Sequence, residues 1–167
     1  MKTIDGQALW HSLGAVHFRE MSTFGALPDT TVQRLLAEGH VRQLDKGEVL
    51  FRAGDRVYSF FVVISGKLAM YICADDQHAF SRHHARGEEV GFVAMIGLHD
   101  RVGTAVAAQE TLVVEISADQ FHALHISEPE AFGLLLLNLS REMARGIRQL
   151  NNVIVQMSMQ HSKGRAG

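Results

Sequence analysis

Between Val41 and Ile116 the chain runs as short apolar segments rich in Val, Ile, Phe and Tyr. They are cut by Gly47, Gly54, Gly66, Gly87, Gly91, Gly97 and Gly103. Turn signals at that spacing leave no room for long helices and predict an all-β sandwich or barrel. Phe60–Ile64 and Leu68–Ile72, joined through Ser65-Gly66-Lys67, read as a hairpin. Lys46-Gly47-Glu48 and Ala53-Gly54-Asp55 mark two further turns.

The flanks have a different period. From Asp5 to about Glu38 the chain reads as helical, with Leu9, Leu13 and Val16 on one face. Pro28-Asp29-Thr30 opens a second helix that carries Val32, Leu35 and Leu36 and stops at Gly39 as a C′ residue. At the other end, Ser127-Glu128-Pro129-Glu130 fits a capping box with Ser127 as N-cap and Glu130 at N3. Leu136, Leu139, Met143, Gly146, Leu150, Val153 and Met157 then follow heptad a/d spacing, and only Gly146 is a poor seam residue. At ~1.5 Å per residue this helix reaches about 40 Å, more than a ~100-residue body covers alone, so it predicts a homodimer seam. The expected organisation is N-terminal helices over 1–38, a β body over 39–126, the long dimerisation helix over 127–160 and a basic tail over 161–167. Arg145, Arg148, Lys163 and Arg165 complement the dipole of the helix end.

Composition excludes several classes. The 167 residues carry 16 Lys+Arg against 18 Asp+Glu, a formal charge of −2, which gives no general basic footprint for nucleic acid. A 47% share of apolar residues is enough to bury a full core and excludes disorder. No apolar run approaches the ~18–20 residues of a membrane span. Met1–Trp10 has no signal-peptide core, so a cytoplasmic location is expected. The single cysteine, Cys73, precludes an internal disulfide and a Cys-only metal or iron–sulfur site within one chain.

The chemistry concentrates in Gly87–Arg101. Gly91 permits a positive φ or a close backbone approach, and Phe92–Ile96 fits one short helical turn whose first N–H groups would face an anion. Arg101 follows, and its guanidinium could fork onto two phosphate oxygens. On the preceding strand, alternation places Arg82, His84 and Arg86 on one face and Ser81 and His83 on the other.

This stretch resembles the phosphate-binding cassette of the cyclic-nucleotide-binding domain family, approximately F-G-E-L-A-L-x-x-x-x-P-R-A-A. The spacing from Phe92 to Arg101 equals that from the family's Glu to its Arg. Leu44–Asp55 looks like the family's first strands and turn, and Tyr58–Tyr71 looks like its Y-x-V-x-x-G-x-V segment. Val114–Ser117, Phe121, Pro129 and Ser140–Arg145 are similar to the barrel exit and long helix of catabolite-activator-type regulators. The resemblance implies a mainly β fold: a double-stranded β-helix (jelly-roll) barrel with N-terminal helices and a long C-terminal helix. It places a ligand pocket between barrel and helix; no enzymatic activity is expected. The ligand would be a cyclic nucleotide, cAMP or cGMP, and no other cofactor is implied.

The ligand-binding residues so implied are Gly91, Phe92, Val93, Ala94, Arg101 and Val102, joined by Arg82 and His84 from the strand and Asn151 from the long helix. The pocket is atypical. Phe92 stands where the family has the carboxylate that binds the ribose 2′-hydroxyl, Val102 stands where a small residue is usual, and Asp100 replaces the proline. Asp100 could pair with Arg101, whereas Glu88 and Glu89 read as solvated.

Other classes find less support. A cupin-like metal site needs converging ligands, yet His83 and His84 point oppositely and His122 and His125 sit on an outer helix. Haem sensing would draw on Cys73, His78 or His84, with nothing to select among them. Only a short basic tail follows the long helix, so no direct DNA binding by this chain alone is expected. A protein effector reading the long helix is the expected partner. The alternatives are a degenerate dimerising adaptor that binds no nucleotide, or a truncated transcription regulator.

Overall fold

The computed structural model describes residues 1–74 and 77–164; Arg165 and the side chains of Cys73, His78 and Lys163 lie outside the described residues. In chain order the elements are β1 (Lys2–Ile4), α1 (Gly6–Arg19), α2 (Asp29–Glu38), β2 (His40–Leu44), β3 (Val49–Phe51), β4 (Ser59–Ser65) and β5 (Lys67–Ala74). Then come β6 (Gln77–Ala85), β7 (Glu89–Val90), α3 (Phe92–Ile96), β8 (Gly103–Ala107), β9 (Thr111–Ser117), α4 (Ala118–Ser127) and α5 (Pro129–Gly164).

The strands form two antiparallel sheets, β1-β2-β9-β4-β7 and β3-β8-β5-β6, in the expected jelly-roll fold. β4 explains why the larger sheet sits in the middle. Its sequence, Ser-Phe-Phe-Val-Val-Ile-Ser, is apolar on both faces, as a strand covered from both sides must be. Phe61 and Val63 point between the sheets with Leu44, Phe51, Leu68, Val90 and Val113. Phe60, Val62 and Ile64 point the other way, into a core closed by the helices through Phe18, Leu35, Leu36, Leu124 and Leu135. Each such side chain, fully withdrawn from water, contributes about 1.5–3 kcal/mol.

The expected β4–β5 hairpin does not form. The two strands belong to different sheets, β4 pairing with β9 and β7, and β5 with β6 and β8. The register of β4 slips between Val63 and Ser65, and Gly66 at φ 85° turns the chain across the barrel corner. A glycine between two apolar runs signals a turn equally well in both topologies.

The helices depart from expectation in three places. Gly14 adopts φ 77° and ψ 160° inside α1, which rotates the last turn, so Val16 is 65% exposed while Leu9 is buried. The strands end at Ser117, and it is Ser117 with Gln120 that makes a capping box, opening α4. Ser127 closes α4 instead of capping α5; its hydroxyl donates to the Ala123 carbonyl. Gly39 ends α2 in an extended conformation, not a left-handed one.

α5 is 36 residues long and docks on the body through Ala131, Leu135 and Leu139, all buried. Asn138, also buried, donates to the Thr23 and Gly25 carbonyls at 3.2 and 2.7 Å. The heptad stripe therefore does not run as one face to solvent: Leu139 is core and Met143 packs against it, whereas Leu150, Val153 and Met157 are exposed. Among the described residues no helix is long and apolar enough to cross a membrane.

Candidate functional site

The site is organised around the turn from β7 into α3. Ser22 and Thr23 hold the Gly87 carbonyl with both hydroxyls and the Thr23 N–H, fixing the chain just ahead of β7. Gly91 then takes φ 87°, and a Cβ there would lie 2.0 Å from Nη1 of Arg101. Only glycine fits both demands.

Arg101 is buried, and its fork is occupied by the protein. Nη1 donates to the Gly91 carbonyl at 3.0 Å and Nη2 to the Ser59 carbonyl at 2.7 Å. The guanidinium carbon lies 4.3 Å from the centre of the Phe51 ring and 5.5 Å from that of Phe61. Burial pulls its pKa below the ordinary value, opposed by Glu115, Asp55 and Glu89. Arg101 remains a cation, held in place without Asp100, which is exposed.

Phe92 does not face the cavity. It is fully buried, edge-on to Phe60 at 5.3 Å and to Phe121 at 5.7 Å, and belongs to the core beneath the helices. The carboxylate at this turn comes from Glu89 instead, three residues earlier. Contrary to the expectation of a solvated side chain, Glu89 is only 5% exposed, and its Oε2 accepts from the Phe92 N–H at 2.9 Å. Burial raises its pKa above the ordinary value.

His84 and Arg82 stand beside it. The His84 Nδ1 donates to the Glu89 carbonyl at 2.8 Å, which leaves Nε2 to accept from Arg82 Nε at 3.3 Å. Burial, then the nearby Arg82 charge, pushes the imidazole down to about 4, so it is neutral near pH 7. Arg82 also reaches α5, donating to Gln149 at 3.4 Å. A register slip between Met70 and Tyr71 upsets strict alternation in β6, and Ser81 reaches the same side as Arg82 and His84. Arg86 leaves that face, bonding His17 and Glu20 outside.

These groups line a cavity of about 370 Å³ between the barrel and α5. Of the residues expected at a ligand, Gly91, Val93, Ala94, Arg101, Val102, Arg82 and His84 line it, and Phe92 and Asn151 do not. Asn151 is exposed beyond the last cavity-lining position of α5, Leu150. The sequence reading put the long helix at the pocket but drew only Asn151 from it; the lining residues it missed on that wall are Glu142, Met143, Gly146, Ile147 and Leu150 of α5. Gly146, an interruption in the heptad stripe, was a local trace of them. Glu142 is buried and ion-paired with Arg145. His122 and His125 are exposed on α4, their rings 6.3 Å apart. Among the described residues no group of three or more His, Cys, Asp or Glu side chains is placed to hold a metal ion.

Known proteins resemble this chain in sequence and in fold. A lysophospholipase NTE1 of Cryptococcus neoformans is 32% identical over 53% of this chain and 6% of that protein. The transcriptional activator FnrA of Stutzerimonas stutzeri is 34% identical over 70% of this chain and 46% of that protein. The chain thus spans less than half the length of either. The crystal structure of a cyclic nucleotide-binding domain from Methylobacillus flagellatus superposes with a TM-score of 0.80 at 16% identity, covering 93% of this chain and 88% of that one. The profile of the cyclic nucleotide-binding domain matches residues 41–128, over half of the chain and nearly all of the barrel strands. A jelly roll whose cavity is framed by the β7–α3 turn, Arg101 and the long helix, matched over that span, belongs to the cyclic nucleotide-binding domain family.

Proposed function

We propose that this chain is a non-enzymatic, homodimeric sensory domain. It takes a small ligand of cyclic-nucleotide type into the cavity between barrel and α5 and transmits occupancy through that helix to a protein effector. The observation that carries the reading is the cavity's double wall: Arg101, Gly91 and Ala94 on the barrel side, Met143, Gly146 and Ile147 on the helix side. A ligand touching both walls has a different affinity for docked and displaced positions of α5, and that difference sets the size of the signal. The exposed stretch of α5 beyond the cavity, with Val153 and Val155 half exposed, supports a second copy as its cover.

A second reading, a dimerising adaptor without nucleotide, draws on one specific observation. Both arms of the Arg101 fork and the Phe92 N–H already have protein partners. Calorimetric titration of cAMP and cGMP to millimolar concentration separates the two. Binding is expected for the wild type and its loss for Gly146→Leu, which fills the cavity from a helix position where an added Cβ meets no other atom within 4 Å. A wild type silent to both nucleotides and to adenosine, or a Gly146→Leu variant that binds equally well, overturns the sensor in favour of the adaptor.

A further inference from the structure

The family's ribose-binding position, Phe92, points into the core, so whatever sets ligand choice lies elsewhere in the cavity. Glu89 is the candidate. It lines the cavity, is 5% exposed, and comes from the β7 position paired with Val62. Its carboxylate holds the Phe92 N–H at 2.9 Å, while the adjacent Gly91 carbonyl holds Arg101. One turn of backbone thus carries an anion and a cation side by side, each already partnered. Glu142, the other acid on the cavity wall, has Arg145 as its partner on its own helix.

We infer that Glu89 is the specificity-determining residue of this cavity, disfavouring a phosphate at the β7–α3 turn and favouring a ligand with an uncharged or hydrogen-donating group there. A phosphate that approached Arg101 and the Phe92 N–H would have to displace the Glu89 carboxylate and then sit beside it. Two like charges within a few ångströms in a water-poor site oppose each other strongly. A neutral group meets no such opposition and can donate to the carboxylate's second oxygen. The assignment rests on the cavity being a ligand site, as proposed above.

The test compares cAMP with adenosine, which has the same base and a ribose without the phosphate, on the wild type, Glu89→Gln and Glu89→Asp. Glutamine keeps an acceptor for the Phe92 N–H and removes the charge; aspartate keeps the charge. The cAMP-to-adenosine affinity ratio is expected to rise about tenfold or more in Glu89→Gln and to stay at the wild-type value in Glu89→Asp. A ratio isolates phosphate preference from any general loosening of the fold. An unchanged ratio in Glu89→Gln, or an equal rise in Glu89→Asp, overturns the assignment and leaves the cavity reading intact. If neither ligand binds any of the three proteins, the cavity reading itself has fallen, and this assignment with it.

Discussion

Arg101 and Gly91 are built for each other: the guanidinium nitrogen Nη1 lies 3.0 Å from the Gly91 carbonyl and where any Cβ on Gly91 would come within 2.0 Å of it. The cation thereby fixes the turn that leads into α3. Gly91→Ala should dislodge the fork and force a left-handed alanine, a combined cost on the order of 2–4 kcal/mol. Urea unfolding monitored by circular dichroism would show the lowered midpoint, and a midpoint equal to that of the wild type would contradict the coupling.

Restoring the family's carboxylate should not restore its chemistry. Phe92→Glu places a charge among Phe60 and Phe121 in a fully buried site. The expected loss is about 3–5 kcal/mol, with no gain in cyclic-nucleotide affinity. Thermal melts and a cAMP titration of the same sample check both halves. Tighter binding would mean that position 92 reaches the cavity after all.

His84 makes the fold acid-sensitive. Its folded pKa, about 4, lies below the unfolded value of 6.5, so the folded state binds fewer protons between these limits. Stability is fully present above pH 6.5 and falls as the pH drops toward 4, by at most about 3 kcal/mol. Glu89, with its raised pKa, has the opposite sign and offsets part of this loss. In His84→Gln the imidazole's share of the slope should vanish. Unfolding free energies of both proteins at several values between pH 4.5 and 7.5, compared pairwise, would reveal a persisting slope if another group is responsible.

The dimerisation proposed above, through the projecting part of α5, predicts a local sensitivity. Val153, half exposed and past the cavity, should lie in the interface, and Val153→Glu should convert dimer to monomer without changing the melting of the barrel. Sedimentation equilibrium gives the mass directly. A variant that remains dimeric places the contact elsewhere.

The alternation of apolar runs and glycines made the barrel legible, because a strand's burial pattern and the need for a positive φ at a corner are local properties. The cassette spacing located the turn and Arg101 for the same reason. Which strands pair is another matter: Gly66 signals a bend, but whether the chain folds back on β4 or crosses to the other sheet depends on β9 and β8, far away in sequence. The inward course of Phe92 was illegible too, since it follows from Phe60 and Phe121 offering it a place.

Glu89 is the sharpest instance. As a letter beside Glu88 it reads as a solvated acid, and two adjacent acids beside a glycine usually are. Its burial arises when β7 pairs with β4 and α5 closes over the turn, bringing Glu142, Gly146 and Ile147 across from it. Local chemistry written along the chain specified strands, corners and a cation. Assigning each polar group its partner, and so deciding what the cavity can accept, required contacts between segments far apart in the chain, because burial is a property of the assembled surface and not of any residue taken alone.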